Sequence, residues 1–280
     1  MKNLNVMIVG FGVIGRAVAQ TLINKQKDFK KSGISFNVVA VCDVSGSIVN
    51  SRGIALKPLL KKEFKKIEGL KKKNALQLLD ELKLDLMVEC TPGDIKTGEP
   101  GLSHIKKALS KGIHVVTSNK SPLAVAYSEL MSLAKKNKAL FRFEATVGGA
   151  IPILGLKDDG LNSNNVSNVY GVLNGTTNYV LTKMENEGVP LNLAVAEAQQ
   201  LGYAEADPSY DIDGIDTAAK VVILANHFLG KTAKFKDVKV EGIRKITPQA
   251  LELANKNGHT IKLIGDAKNM TVAPKIISID

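Results

Sequence analysis

The chain has 280 residues, of which 44% are hydrophobic and 5% aromatic, and it carries a formal net charge of +11. This length supports one large hydrophobic core or two moderate ones, and typical domain sizes favour two domains. The sequence lacks an apolar run of 18 residues, which excludes a membrane-spanning helix and predicts no membrane partner.

Much of the excess positive charge lies in two lysine-rich runs, residues 57–66 and 71–73. Basic patches bind phosphate groups, but nucleic-acid recognition usually also shows a known motif or stacking aromatic residues. Aromatic residues are scarce here, so we predict a solvated lysine face and no nucleic-acid partner. Strand-like Asn5–Val9 begins too early for a signal peptide, and the cysteines Cys42 and Cys90 each close an apolar run. We therefore expect reduced thiols and a cytoplasmic location.

The first predicted element is the apolar strand Asn5–Val9, which leads into Gly10-Phe11-Gly12-Val13-Ile14-Gly15 and a helix through Ile23. In this strand–turn–helix context Gly10 allows a tight turn, Gly12 lets the backbone approach a pyrophosphate, and Gly15 permits close packing. The helix N-terminus adds N–H donors and a positive dipole. The turn therefore predicts binding of NAD or NADP by these six residues, with a purely structural turn as the alternative.

The second predicted strand, Phe36–Cys42, ends at Asp43. A carboxylate there could bond the adenosine ribose hydroxyls and favour NAD, although Asp43 could equally be an ordinary turn residue. Arg52 and Lys57 follow in the next loop and could instead contact a 2′-phosphate and favour NADP. The sequence alone leaves the two cofactors equally open.

Two more buried strands are predicted over residues 84–90 and 112–117. Ligands of open parallel sheets bind beyond the carboxyl ends of the strands. Thr91, Asn119 and Lys120 follow these strand ends, and we predict that they line the cofactor crevice.

The stretch from Gly202 to Lys220 holds five carboxylates and a lysine, and it leads into an apolar helix predicted over Ile215–Leu229. Asp216 and Lys220 are four residues apart and should share one face of this helix. A substrate ammonium could lie between Glu205 and Asp216, while Lys220 reaches a hydroxyl or carbonyl. The alternative is an exposed ion pair on a capped helix, which the apolar surroundings disfavour.

Taken together, these elements resemble the homoserine dehydrogenase family from residue 1 to about residue 265. The matching segments are the glycine turn, Glu89–Pro92, Thr97–Pro100, Val115–Lys120, Phe143–Gly148, Leu173–Tyr179 and Gly202–Lys220. The resemblance implies an α/β protein with an N-terminal Rossmann domain, residues 1–147, and an α+β substrate-binding and dimerisation domain, residues 148–280. It also implies NAD(P)-dependent interconversion of aspartate 4-semialdehyde and L-homoserine, on the branch to threonine and methionine, by a homodimer.

The same resemblance assigns roles to individual residues. Lys220 and Lys120 would donate and accept the proton, and Glu205 and Asp216 would bind the substrate amino group, with Asp211 on the same wall. Gly202 would contact the cofactor. A monovalent cation, sodium or potassium, would be held by the following oxygen donors: the Glu144 carboxylate and the backbone carbonyls of Val147, Gly149 and Ile151.

One departure concerns the C-terminal end. Chains of the family normally continue past the equivalent of Pro274 and return to the nucleotide domain, so we expect the second domain to be short at its C-terminus. Two alternative functions stay open on these grounds. One is another amino-acid dehydrogenase acting on an aspartate-like substrate, and the other is a catalytically impaired nucleotide-binding protein.

Overall fold

The computed structural model describes residues 1–279. The chain forms two compact units, Met1–Ile151 and Pro152–Asp280. Each unit has its own sheet and its own hydrophobic core. Among residues 1–279, every helix is too short or too polar to cross a lipid bilayer.

The first unit is built on a six-stranded sheet in the order β3-β2-β1-β4-β5-β6. Its strands are β1 (Lys2–Val9), β2 (Ile34–Asp43), β3 (Gly46–Val49), β4 (Leu86–Glu89), β5 (His114–Thr117) and β6 (Phe141–Arg142). All neighbouring strands pair in parallel except β2 and β3, which form an antiparallel hairpin at the edge. This strand order is that of the dinucleotide-binding Rossmann fold, so the predicted fold class is confirmed.

Helices cover this sheet and explain its apolar strands. They are α1 (Val13–Asn24), α2 (Gln26–Lys31), α3 (Leu56–Leu60), α4 (Ala75–Glu81), α5 (Gly101–Ser110) and α6 (Lys120–Lys136). Val6, Met7 and Ile8 of the central strand β1 are completely buried, because a parallel sheet between helix layers hides both of its faces. The edge strand β3 differs from the sequence-based prediction, which places its four residues in the loop after β2.

The second unit contains a four-stranded sheet in the order β7-β9-β10-β8. Its strands are β7 (Tyr170–Val172), β8 (Lys239–Val240), β9 (His259–Asp266) and β10 (Thr271–Ser278). Its helices are α7 (Ile153–Asp159), α8 (Gly175–Glu187), α9 (Leu191–Gln200), α10 (Ser209–Ile212), α11 (Ile215–Leu229) and α12 (Pro248–Lys256). The pairing of β9 with β10 is antiparallel, so this unit is α+β in character.

Helix α11 is the central element of the second unit, and its bounds match the prediction. Gly214 lies between the end of α10 and the start of α11, and Gly230 ends α11. Both adopt left-handed backbone, φ 81° and φ 63°, as glycine commonly does after a helix and at little cost. Gly265 on β9 lets the helix approach the sheet closely, because a Cβ there would lie 2.7 Å from Val221. The helix that carries Asp216 and Lys220 is therefore held rigidly in the core.

Candidate active site

The glycine turn between β1 and α1 is closed by backbone contacts that leave no room for side chains at two positions. A Cβ on Gly10, whose φ is 87°, would lie 2.6 Å from the Cys90 carbonyl group, and a Cβ on Gly15 would lie 2.0 Å from the Gly10 carbonyl oxygen. A Cβ on Gly12, by contrast, would meet no atom within 4 Å. The space above Gly12 therefore stays open at the start of α1.

That open space suits a negatively charged ligand. Gly12 is the N-cap residue of α1 and provides no side-chain hydrogen bond to the first turn. The first N–H groups of a helix lack intrahelical acceptors and carry the positive end of the helix dipole. These features are compatible with the pyrophosphate of a dinucleotide, and the binding itself stays a prediction.

Phe11 and Arg16 connect the turn to the segment around α3 by packing and hydrogen bonds. The Phe11 ring is buried against Phe64, with 5.5 Å between ring centroids. The Arg16 guanidinium lies 5.1 Å from the Phe11 ring centroid and donates to the carbonyl oxygens of Leu59, Leu60 and Lys62. Val13 and Ile14 instead expose their side chains at the start of α1.

Asp43 ties the end of β2 to the glycine turn. One carboxylate oxygen accepts the Phe11 N–H at 2.9 Å, and the other accepts the Val44 N–H at 2.6 Å. This carboxylate therefore sits beside the turn at the carboxyl end of β2, where the adenosine ribose of a dinucleotide binds in this fold.

Arg52 does not share this location. Asn50 and Ile54, on either side of it, donate their N–H groups to the carbonyls of Val39 and Val38. Val38 is five residues before Asp43 on β2, about 16 Å away at the usual rise of a strand. Arg52 and Lys57 line a separate cavity of about 690 Å³ with the starts of β1 and β2. The sequence predicts Arg52 close to Asp43, but the antiparallel strand β3 returns the chain along β2 and places Arg52 near the start of β2.

Strands β4 and β5 end in a buried polar network around Glu89. This carboxylate is fully buried and accepts the Thr91 N–H at 3.0 Å, the Thr91 hydroxyl, and the Thr117 hydroxyl at 3.0 Å. Asn119 donates its N–H to the Thr117 hydroxyl and caps α6 by accepting the Ser121 N–H. Lys120 is consequently fixed as the first residue of α6.

Cys42, near the end of β2, and Cys90, directly after β4, are free thiols and are not activated. Burial, with a smaller contribution from the neighbouring carboxylates, raises the pKa of Cys42 and of Cys90 to about 11. A thiol with such a pKa is protonated at neutral pH and is a poor nucleophile.

In the second unit, Asp216 and Lys220 form the ion pair that their spacing predicted. The Lys220 ammonium lies 2.7 Å from an Asp216 carboxylate oxygen and donates to the Leu173 carbonyl oxygen, also at 2.7 Å. Only 6% of the Asp216 side chain and 15% of the Lys220 side chain are exposed. The alternative of an exposed surface pair is therefore wrong, and a pair this buried needs additional hydrogen bonds to be stable.

Asn174 supplies such hydrogen bonds, although the sequence indicates it only as part of the matching segment Leu173–Tyr179 and assigns it no role. Its amide nitrogen donates to Asp211 at 2.7 Å and to Asp216 at 2.9 Å. Its amide oxygen caps α8 by accepting the Thr177 N–H at 2.8 Å. Asp211, Asp216 and Lys220 are thus brought together through one side chain.

Gly202 and Glu205 lie on the exposed turn that follows α9. The Gln199 amide donates to the Glu205 carbonyl at 3.0 Å, and the Thr176 hydroxyl donates to the Tyr203 carbonyl at 2.8 Å. These bonds fasten the backbone of the turn and leave the Glu205 side chain exposed.

The four predicted cation donors lie on one short segment at the end of the first unit. Glu144 begins a 3-10 turn that ends at Thr146, and the following turn is closed by the Ile151 N–H to the Gly148 carbonyl at 3.0 Å. Within residues 1–279 no three His, Cys, Asp or Glu side chains cluster as a metal site. Backbone carbonyls would therefore have to supply most of the ligands for a cation here.

A Rossmann sheet with an open glycine turn, together with a buried carboxylate–lysine pair in a second unit, defines the class of protein as an NAD(P)-dependent oxidoreductase. Comparison with known proteins supports this class and narrows it. The model of the homoserine dehydrogenase family matches residues 152–280, and the model of the NAD-binding domain of that family matches residues 10–144.

The relatives agree with the family models. A homoserine dehydrogenase of Methanocaldococcus jannaschii is 46% identical over 99% of this chain and 85% of its own length. A crystal structure from Archaeoglobus fulgidus, described as a homoserine dehydrogenase, has 39% identity and a TM-score of 0.89 over 98% of this chain and 84% of its own. A hyperthermophilic archaeal homoserine dehydrogenase mutant in complex with NADPH has 32% identity and a TM-score of 0.84, over 99% of this chain and 83% of its own. The chain belongs to the homoserine dehydrogenase family.

Proposed function

We propose that this chain catalyses the NAD(P)-linked interconversion of aspartate 4-semialdehyde and L-homoserine, on the branch to threonine and methionine. The observation that carries this proposal is the buried Asp216–Lys220 pair, which Asn174 links to Asp211. A carboxylate cluster suits the ammonium group that both substrates share, and a lysine beside it suits a reacting oxygen.

Substrate binding is assigned to the acidic residues of the second unit. Asp211 and Asp216 accept hydrogen bonds from the substrate ammonium, and Glu205 adds a third carboxylate from the exposed turn. Charge-assisted hydrogen bonds of this kind are stronger than neutral ones, and they select an amino acid over an uncharged aldehyde.

Proton transfer is assigned to two lysines. Hydride addition to the aldehyde carbon leaves negative charge on the oxygen, which the Lys220 ammonium stabilises and protonates. In the oxidative direction the neutral amine removes the hydroxyl proton. Lys120, fixed at the start of α6, is proposed as the second lysine in this role.

The cofactor supplies or accepts the hydride. Gly10, Phe11, Gly12, Val13, Ile14 and Gly15 would hold its pyrophosphate, while Thr91, Asn119, Lys120 and Gly202 would border the remaining cofactor. Asp43 would lie beside the adenosine ribose, where its negative charge would disfavour a 2′-phosphate. Arg52, which would favour NADP, lies at the other end of β2. We therefore propose NAD as the better cofactor, with NADP, the oxidised form of the cofactor named with the archaeal relative, as the alternative.

Several features are carried over from the family resemblance. A sodium or potassium ion would be bound by Glu144 with the carbonyls of Val147, Gly149 and Ile151. Residues 1–147 would act as the nucleotide domain and residues 148–280 as the substrate and dimerisation domain of a cytoplasmic homodimer.

The deciding experiment measures absorbance at 340 nm after the purified chain is mixed with homoserine and either NAD or NADP, with potassium and sodium varied. We expect homoserine-dependent reduction, a higher kcat/KM with NAD than with NADP, and faster turnover with added cation. Cofactor binding without any reduction would contradict the proposed function. Oxidation of aspartate in place of homoserine would favour the other dehydrogenase.

A further inference from the structure

We propose that Asn174 is a positioning residue, whose side-chain amide holds Asp211 and Asp216 together as a single site for the substrate ammonium. The inference rests on the proposed function, because it assigns a role within the acidic site. Asn174 acts through the two carboxylates rather than on the reacting atoms.

The hydrogen bonds of this amide fix its orientation. The amide nitrogen donates to Asp211 and Asp216, at 2.7 and 2.9 Å, and the oxygen accepts the Thr177 N–H and hydroxyl, at 2.8 and 3.0 Å. An asparagine side chain offers two donor hydrogens and one oxygen with two lone pairs, so its full capacity is used. Carboxylates accept only and an N–H donates only, hence the amide cannot be flipped. The residue is 7% exposed, so these hydrogen bonds are shielded from water.

A neutral donor between two carboxylates has a specific electrostatic effect. Two adjacent carboxylates repel each other and raise the free energy of the doubly ionised site. The Asn174 amide offsets that repulsion without adding charge, whereas a lysine there would neutralise the site. Asp211, Asp216 and Lys220 then sum to one net negative charge, to which Glu205 on the exposed turn adds a second, and this negative charge attracts the substrate ammonium.

Asn174 is also coupled to Lys220 through the backbone. The carbonyl oxygen of the preceding residue, Leu173, accepts a hydrogen bond from the Lys220 ammonium. The pair Leu173–Asn174 therefore contacts both partners of the Asp216–Lys220 ion pair. A displacement of this segment would shift the ammonium-binding carboxylate and the proton donor together.

The bridging role can be separated from the helix cap by substitution. Asn174→Ser and Asn174→Asp both keep an oxygen that can accept the Thr177 N–H, and serine and aspartate are good N-cap residues. Both remove the amide donors. We expect Asn174→Ser to raise the KM for homoserine by about tenfold or more, with the KM for NAD within about twofold. The melting temperature should fall by only about 2–4 °C, because the two carboxylates lose a shared donor while the helix cap is kept.

Asn174→Asp adds a pH signature. The introduced carboxyl lies against two others, and like charges raise the pKa of a carboxyl. Once protonated it can donate one hydrogen bond and restore part of the bridge. We expect its homoserine kcat/KM, relative to that of the unsubstituted chain, to recover as the pH falls from about 8 to about 6.

The matched control is Asn178→Asp, which places the same change on an exposed residue of the same helix, and it should leave both KM values unaltered. The inference is overturned if Asn174→Ser keeps the homoserine KM, or if both KM values rise together with a fall in melting temperature.

Asp216→Asn, measured alongside, separates the two proposals. If it raises the homoserine KM while Asn174→Ser does not, only the role of Asn174 is wrong; if neither does, the acidic site itself is wrong.

Discussion

The candidate site of the first unit is formed by backbone atoms, whereas that of the second unit is formed by side chains. In Met1–Ile151 the glycine turn, for which we propose phosphate binding, is built of backbone and is closed so tightly that Gly10 and Gly15 leave no space for a Cβ. In Pro152–Asp280 the acidic site is a network of side chains, in which Asn174, Asp211, Asp216 and Lys220 hold one another by hydrogen bonds. A backbone site fails when atoms are added, whereas a side-chain site fails when donors or charges are removed.

The largest expected effect comes from removing a charge in the second unit. Lys220→Met should lower kcat by roughly 10²- to 10⁴-fold, the usual cost of losing a general acid–base group, while NAD binding persists. Lys120→Met should also lower kcat by orders of magnitude. The measurements are steady-state kinetics and NAD titration by fluorescence.

Lys262→Met is a matched control for this change. Its side chain is also 15% exposed and pairs with Glu185 and the Thr182 hydroxyl instead of the acidic site. It should keep kcat within a few-fold of that of the unsubstituted chain. Near-normal turnover in both Lys220→Met and Lys120→Met would refute the two-lysine mechanism.

Adding one methyl group to the glycine turn tests the first unit. Gly15→Ala must push the Gly10 carbonyl away and should destabilise the cofactor-free protein by about 1–3 kcal/mol, as overpacking does. Gly12→Ala enters open space, so its cofactor-free stability should change by less than about 1 kcal/mol, while NAD binding weakens about tenfold or more. Thermal unfolding with and without NAD measures both. Equal destabilisation by the two substitutions would contradict an open space above Gly12.

The smallest expected effect concerns the choice of cofactor. Asp43→Asn keeps an oxygen for the Phe11 N–H but removes the negative charge, so the ratio of kcat/KM for NADP to that for NAD should rise by roughly fivefold. Arg52→Gln, on the separate cavity, serves as the comparison and should leave the ratio unchanged. A change with Arg52→Gln alone would place the 2′-phosphate elsewhere than beside Asp43.

The sequence by itself determined the features that depend on local spacing. The glycine turn after β1 and helix α11 with its i,i+4 pair Asp216–Lys220 follow from periodicity and turn chemistry within about twenty residues, and the structure contains both. The fold class followed from the alternation of such strands and helices.

Only the tertiary structure decided the rest, because it depends on residues far apart in the chain. The Asn174 amide meets Asp211 and Asp216 across 37 and 42 residues, and the Glu89 carboxylate meets the Thr117 hydroxyl across 28. Arg52 lies far from Asp43 because the short strand β3 pairs antiparallel with β2 and returns the chain toward the start of β2. No local pattern encodes which distant donor reaches a buried carboxylate, since that choice is made by packing, which favours a partner for each buried polar group.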